Sequence, residues 1–337
     1  MTNGERFCRT FSFRHPGDRV PVYEWAPWWD KTVDRWKTEG IDPSKTFQEI
    51  LDDFGLDKMS GLGASPFWEG AGTVPFGYEG GIAGEADYER ILPRLYPEKH
   101  IADMTASAKV LKEYQKRGDY PVSSGFLGFF WFPRSLFGIE RHLYAFYDHP
   151  KLMHRINRDL CEFIKKALAS LEIFTPMYVC LSEDMSYNGG SMLSRKMFDE
   201  FMKPYYLEIA EMVHGAGSKL IIDSDGYVMD MIPWLLEAGV DGIHPLERQA
   251  GNDICEIRRK YPEFLMLGGF DKMVMHQGEE AIRAEFERIL PVMRSGGYLA
   301  AVDHQTPPEV SLSDYKIFLR LFWEYAERAA KQWTGKL

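Results

Sequence analysis

The residues most able to do chemistry in this sequence come in small polar sets, each just after a short apolar run. Glu183 and Asp184 follow the run at 177–181, and Asp223, Ser224, Asp225 and Gly226 follow the run at 219–222. His244 and Glu247 follow 240–243, Gly268, Gly269 and Asp271 follow 264–267, and Asp303 and His304 follow 298–302. One acid after one strand needs no special reading, because Asp and Ser cap helices and turns. An acid after every one of five consecutive runs is different. Carboxylates crowded on one face repel, and a cation, a shared proton or positive substrate groups must offset that repulsion. Asp223 and Asp225 alternate, so both can reach one side where a strand ends. With His304, and with Glu183 or Glu247, they can complete an oxygen-rich shell with one nitrogen for Zn²⁺ or another divalent ion. Capping and hydrogen bonding within the loops compete as readings of the same residues.

Such sets meet only if the runs are strands of one sheet with their C-terminal ends together. The spacing predicts this. Residues 177–181, 219–222, 240–243, 264–267 and 298–302 are short and apolar, and each is followed by a longer stretch with helical periodicity. Those stretches are 194–214, 228–237, 254–260, 279–293 and 311–330, with Ser194 and Ser311 or Ser313 as N-caps and Gly215, Gly217, Gly296 and Gly297 as stops. The first half repeats the rhythm more loosely. Val20 to Glu24 reads as the first strand, 122–130 as the third with its exit loop, and 47–54, 104–115 and 151–174 as helices. The Gly-rich stretch 74–92 reads as a hairpin or extended excursion over the site. Alternating strands and helices at this density predict one (β/α)8 barrel over 1–337, with helical and loop elaborations near its N-terminus. A doubly wound sheet is disfavoured, because no Gly-x-Gly-x-x-Gly turn and no P-loop opens a helix.

Composition narrows the function classes. The formal net charge is -10, from 50 acidic and 40 basic residues, and no basic stripe is present to grip phosphates. The only basic cluster, Arg258–Arg259–Lys260, fits a helix C-terminus. Four cysteines (Cys8, Cys161, Cys180 and Cys255) form no CxxC pair, which suits a reducing compartment. With no signal peptide and no membrane-length apolar run, the cytoplasm is the simplest address. A homodimer is left open.

Aromatic residues cluster near the first and third strand ends: Trp25, Trp28, Trp29, Trp68, Phe129, Phe130, Trp131 and Phe132. They serve either as ordinary core or as a wall for a flat, apolar or aromatic substrate. Trp25, Trp28, Phe126, Trp131, Tyr187, Asp271 and Asp303 are the candidate substrate contacts. His15, His100, His149, His154, His214 and His276 fall in loops or on helix faces and read as structural or solvated.

Several stretches together resemble the uroporphyrinogen decarboxylase superfamily. They are Ser182–Ser194 (SEDMSYNGGSMLS) followed by Phe201–Tyr206 (FMKPYY), Ile222–Gly226 (IDSDG), Leu236–Glu247 (LEAGVDGIHPLE), Leu267–Lys272 (LGGFDK) and Gly296–Pro308 (GGYLAAVDHQTPP). Asp18–Val22 and Gly125–Gly128 match too, so the resemblance spans nearly the whole chain. It implies a (β/α)8 barrel with a deep cleft at the strand ends. It also implies one of two activities: cofactor-free decarboxylation of uroporphyrinogen, or methyl transfer involving a corrinoid protein and zinc.

The decarboxylases of that group carry an arginine-rich segment after the first strand, which pairs with the substrate's acetates. Here the matching segment, Glu24–Asp30, has no arginine, and the catalytic aspartate of the second strand has no match in Gly61–Pro66. The methyltransferase branch carries His-x-Cys-Gly, which falls on Asp223-Ser-Asp225-Gly226, and a later cysteine, which falls near Asp303–His304. Both thiolates are replaced, and a harder site of Asp223, Asp225 and His304 suits an oxygen-bound methyl better than a thiol. The resemblance thus implies a corrinoid-dependent methyltransferase, an O-demethylase component acting on a small methoxylated or methylated donor. Asp223, Asp225 and His304 would hold a divalent metal, zinc in the first place. Glu183, Asp184 and Glu247 would do the acid–base work, and a partner protein would carry the corrinoid. A metal-independent decarboxylase or lyase on another substrate is the alternative, and a non-catalytic binding barrel the third.

Overall fold

The computed structural model describes residues 1–26, 28–68 and 80–335. Nine strands occur among them: β1 Ser60–Gly63, β2 Val122–Leu127, β3 Tyr178–Ser182, β4 Ser186–Tyr187, β5 Gly190–Ser191, β6 Leu220–Asp223, β7 Gly242–His244, β8 Leu265–Phe270 and β9 Tyr298–Val302. Seven form one sheet in the order β1-β2-β3-β6-β7-β8-β9, and β4 and β5 pair as a small antiparallel hairpin. The sheet order follows the chain order, helices separate the main strands, and the pairings of β1 with β2, β2 with β3, β3 with β6 and β8 with β9 are parallel. This is the α/β alternation expected of the sequence, and the strands of the second half lie within two or three residues of their expected positions.

The expected first strand is not formed. Val20 and Val22 are buried, but their amides are taken by the Ala326 carbonyl (3.2 Å) and by Asp57 Oδ2 (2.9 Å). Pro21 between them has no amide to give. Seven strands, not eight, therefore make up the main sheet among the described residues. Two other expectations are corrected. The single helix expected at 194–214 is two, Arg195–Phe201 and Lys203–Gly215, parted at Met202, with Pro204 in the first turn of the second. Of the excursion expected at 74–92, residues 74–79 lie outside the described residues. The remainder is a turn followed by a helix, Glu85–Ile91, and a 3-10 turn, Leu92–Arg94, instead of a hairpin.

The chain divides into two compact units. The first comprises Met1–Met59, Gly118–Pro121 and Ile243–Leu337, and the second Ser60–Arg117 and Val122–Gly242.

In the second unit the registers align one row across the strands: Leu127 is paired with Ser182, and Ser182 with Asp223. The residues just past that row leave the sheet together, which is what brings their side chains to one end. The helix Pro150–Leu168 buries Leu152, Met153, Ile156, Leu160, Cys161, Phe163, Ile164 and Ala167 at helical spacing. It starts with Pro at its first turn and ends in Lys165 and Lys166, which complement its dipole.

In the first unit, β8 and β9 run in register from Met266 with Tyr298 to Phe270 with Val302. The helix Leu312–Lys331 starts where Ser311 Oγ accepts the Asp314 amide (3.1 Å). It buries Tyr315, Phe318, Phe322 and Tyr325. Tyr315 closes an aromatic cluster with Trp28, Trp36 and Phe54, at ring separations of 4.6–5.6 Å. No helix among the described residues is long and apolar enough to cross a membrane.

Candidate functional site

In the second unit the exits of β2, β3 and β6 are tied together. Glu183, fully buried, reaches across to the turn after β2. Its Oε1 accepts the Phe129 amide (2.8 Å) and the Tyr206 hydroxyl (2.7 Å), and its Oε2 accepts the amides of Phe130 (2.6 Å) and Trp131 (3.3 Å). Those amides open the helix Trp131–Phe137. Burial pushes the Glu183 carboxyl up to about 7, while the Tyr206 hydroxyl and the three amides pull the other way. Both oxygens already hold two donors each. Gly128 leaves room for this carboxyl, since a Cβ there would lie 2.1 Å from the Glu183 carboxyl carbon.

Asp184 adopts φ 44, a left-handed conformation that only specific contacts sustain in a non-glycine residue. Arg134 supplies one such contact, donating through Nη1 to the Asp184 carbonyl (3.1 Å) and to its carboxylate (2.9 Å). The same guanidinium lies 4.8 Å from the centre of the half-buried Trp131 ring. At the β6 exit Ser224 is buried, bonded to the Met185 amide (3.0 Å) and the Ser186 hydroxyl (2.8 Å). Asp223 and Asp225 flank it half-buried. The Asp223 carbonyl accepts the amides of Glu183 (2.8 Å) and Asp184 (3.1 Å), which couples β6 to the β3 exit. Tyr187 is 56% exposed on the hairpin, and Phe126 is buried in β2.

In the first unit the exits of β7, β8 and β9 make a second group. His304 and Glu247 offer ligand atoms within 4.8 Å of each other, and both residues are half-buried. The Trp25 ring stands edge-on to His304 (5.7 Å) and to His244 (5.2 Å), and its Nε1 donates to the Val302 carbonyl (2.8 Å). Asp303 is fully buried and clamps two loops, accepting the Arg248 amide (2.9 Å) and the Lys272 amide (3.3 Å). Burial pushes it up to about 6, against the pull of the Lys272 ammonium and those amides. Asp271 caps the short turn that follows it, accepting the Met273 amide (2.9 Å), and also takes the Gln249 side chain. Glu24 accepts the Tyr315 hydroxyl (2.9 Å) and the Val302 amide. Burial pushes its carboxyl up to about 8.

Of the candidate substrate contacts, Trp28 is corrected to core. It is 3% exposed and packed among Trp36, Phe47, Phe54 and Tyr315. Trp25, Trp131 and Tyr187 keep accessible surface, while Phe126 and Asp303 are buried. Three participants were not assigned from sequence: Lys272, Arg134 and the neutral-leaning Glu24. Lys272 is the last residue of the Leu267–Lys272 motif. For Arg134 the sequence carries no signal, because nothing in a helical run of aromatics marks one arginine as facing a strand end.

A His nitrogen and a Glu oxygen within 4.8 Å can share one divalent ion, whose bonds to each are about 2 Å long. The uroporphyrinogen decarboxylase (URO-D) family model matches residues 80–325. A methyltransferase from Methanosarcina mazei superposes with a TM-score of 0.60 at 16% sequence identity, covering 96% of this chain and 99% of its own. A B12-independent methionine synthase from Shewanella sp. W3-18-1, in complex with selenomethionine, gives a TM-score of 0.36 at 10% identity, covering 68% of this chain and 67% of its own. No curated protein matches. At 16% identity, the likeness to the Methanosarcina protein is one of fold.

Proposed function

Because the chain belongs to the uroporphyrinogen decarboxylase (URO-D) family, we propose that it is an enzyme of the methyltransferase type. It would move a methyl group from a small methoxylated or methylated substrate to a corrinoid carried by a partner protein. The observation that carries this reading is the first unit's donor pair, Glu247 with His304, beside the aromatic wall of Trp25. The arginine-free segment Glu24–Asp30 supports it, since a polyanionic porphyrinogen has nothing to pair with there. The fold is also one that serves a methyltransferase elsewhere.

A divalent ion held by His304 and Glu247 would supply Lewis-acid polarisation of the methyl-bearing oxygen. The chain's own residues do the rest. Trp25 orients the His304 ring from its edge and offers a flat face to an aromatic donor. Asp303 fixes the loops that carry Glu247 and Lys272 through their backbone amides. Glu183 holds the turn at 128–131 and so sets the position of Trp131. In the second unit Asp223 and Asp225 remain candidate ligands by residue type, and Asp184 a candidate acid–base group.

The test is zinc content. Chelator-stripped protein is reloaded and assayed by elemental analysis, alongside H304A, E247Q, D223N and D225N. We expect about one ion per chain in the unchanged protein, lost in H304A and reduced in E247Q, and the two Asp variants report whether either carboxylate is a ligand. No uptake of zinc or of any other divalent ion offered would overturn the reading. It would favour a metal-independent decarboxylase or lyase, for which the specific support is that Glu24 and Asp303 are acids raised to about 8 and about 6.

A further inference from the structure

Lys272 follows β8 and opens the short turn capped by Asp271. Its side chain is only 16% exposed. Nζ lies 3.8 Å from Glu247 Oε1 and 3.7 Å from Asp303 Oδ1, beyond hydrogen-bond length in both directions. Among the described residues no acceptor lies within hydrogen-bond distance of this ammonium. The ammonium keeps some solvent exposure and pairs by charge with both carboxylates, which leaves its three N–H donors open to a further acceptor. Asp303 is not free to turn toward it, because its oxygens already accept the backbone amides of Arg248 and Lys272. Glu247 also has a ligand atom within 4.8 Å of one on His304.

We propose that Lys272 is a substrate-anchoring residue whose ammonium binds an anionic oxygen of the substrate. This points to an aromatic ring bearing a carboxylate or phenolate as the substrate class. The inference rests on the reading above in one respect. Lys272, Glu247 and Asp303 together are net negative, and a divalent ion at Glu247 and His304 makes the group net positive. Anion binding is therefore strongest in metal-loaded protein. Arg134, the other cation beside a strand-end acid, is already bonded to Asp184. Arg248, on the next loop, donates its backbone amide to Asp303 and turns its guanidinium to the Asn252 carbonyl (3.2 Å).

The experiment is titration calorimetry with benzoate and with benzamide, its neutral isostere, on the zinc-loaded full chain and on K272Q, K272M and K272R. Zinc content is measured in the same samples. A hydrogen bond to a charged group is worth roughly tenfold or more in affinity. We expect the unchanged protein to prefer benzoate by about tenfold or more, and K272Q and K272M to lose that preference with zinc content unchanged. K272R should keep most of it. A benzoate preference undiminished in both neutral variants overturns the proposal, and so does an unchanged protein that does not prefer benzoate. If the unchanged protein binds no zinc, the metal reading fails by that measurement alone. The comparison of metal-free wild-type protein with K272Q then decides Lys272 separately, standing if the preference depends on Lys272 and falling if it does not.

Discussion

Glu183 and Glu24 both sink a carboxyl behind a strand end, and the protein keeps them by opposite means. Glu183 has four donors, three of them amides at the start of one helix. Glu24 has two, the Tyr315 hydroxyl and the Val302 amide, and no cation pairs with it among the described residues. Burial pushes the first up to about 7 and the second up to about 8. The order follows from the company, since each donor aimed at a carboxylate favours its ionised form. Burial alone therefore does not say what an acid does. Glu183 uses its lone pairs to hold a turn, whereas Glu24 and its neighbour Trp25 cover the amide and carbonyl of Val302 at the end of β9.

The largest expected effect comes from removing the better-satisfied acid. In E183A three amides and a hydroxyl lose their acceptor inside the protein, and unfolding in urea should show a loss of about 3 kcal/mol or more. E183Q should rescue little, because its amide nitrogen meets donors where an acceptor is needed. A loss below about 1 kcal/mol in E183A would mean that Glu183 is not the anchor of the turn, and would return it to the candidates for proton transfer. A smaller effect is expected from Gly128. Its missing Cβ makes room for the Glu183 carboxyl, so G128A should cost about 1–3 kcal/mol. In the E183A background the cost should shrink markedly, since the clash has lost its partner. Additive losses in that double-mutant cycle would break the link between the two residues.

What was legible in the sequence follows the same division. The strands β3, β6, β8 and β9 were legible because each is a short apolar run followed by helical periodicity, a local pattern that burial enforces. The placing of acids after those strands was legible for the same reason. Val20 to Glu24 has the composition of a strand, yet its amides are claimed by Asp57 and Ala326, distant in sequence, and no local pattern reports that. Trp28 looked accessible because it lies past an expected strand, but Trp36, Phe54 and Tyr315 enclose it. The acids themselves could be counted from sequence but not told apart. Asp271 caps a turn, Asp303 clamps two loops and Glu183 anchors a helix start, and those roles depend on which backbone amides come near. One lysine after an aspartate is commonplace in a sequence, and only its position between Glu247 and Asp303 sets Lys272 apart.

The most modest expected effect, and the one that bears most directly on the comparison, is the pH dependence of E24Q. The Glu24 carboxyl is raised from 4.5 to about 8 in the fold, so the folded chain holds a proton there that the unfolded chain releases between those values. The sign is therefore fixed. Stability is favoured at low pH and declines as pH rises from about 4.5 toward 8, by at most about 1.4 kcal/mol per pH unit for one proton. Beyond 8 both states are ionised and the decline stops. Glutamine carries no charge at any of these pH values, and its carbonyl can still accept from Tyr315 and Val302. E24Q should thus match the unchanged protein near pH 5 and exceed it in thermal midpoint near pH 9. Glu183 and Asp303 titrate in both proteins, so their contributions cancel in the difference. Coincident midpoints across the whole range would mean that Glu24 is ionised in the fold, stabilised as well by two donors as Glu183 is by four, and the contrast between the two acids would collapse.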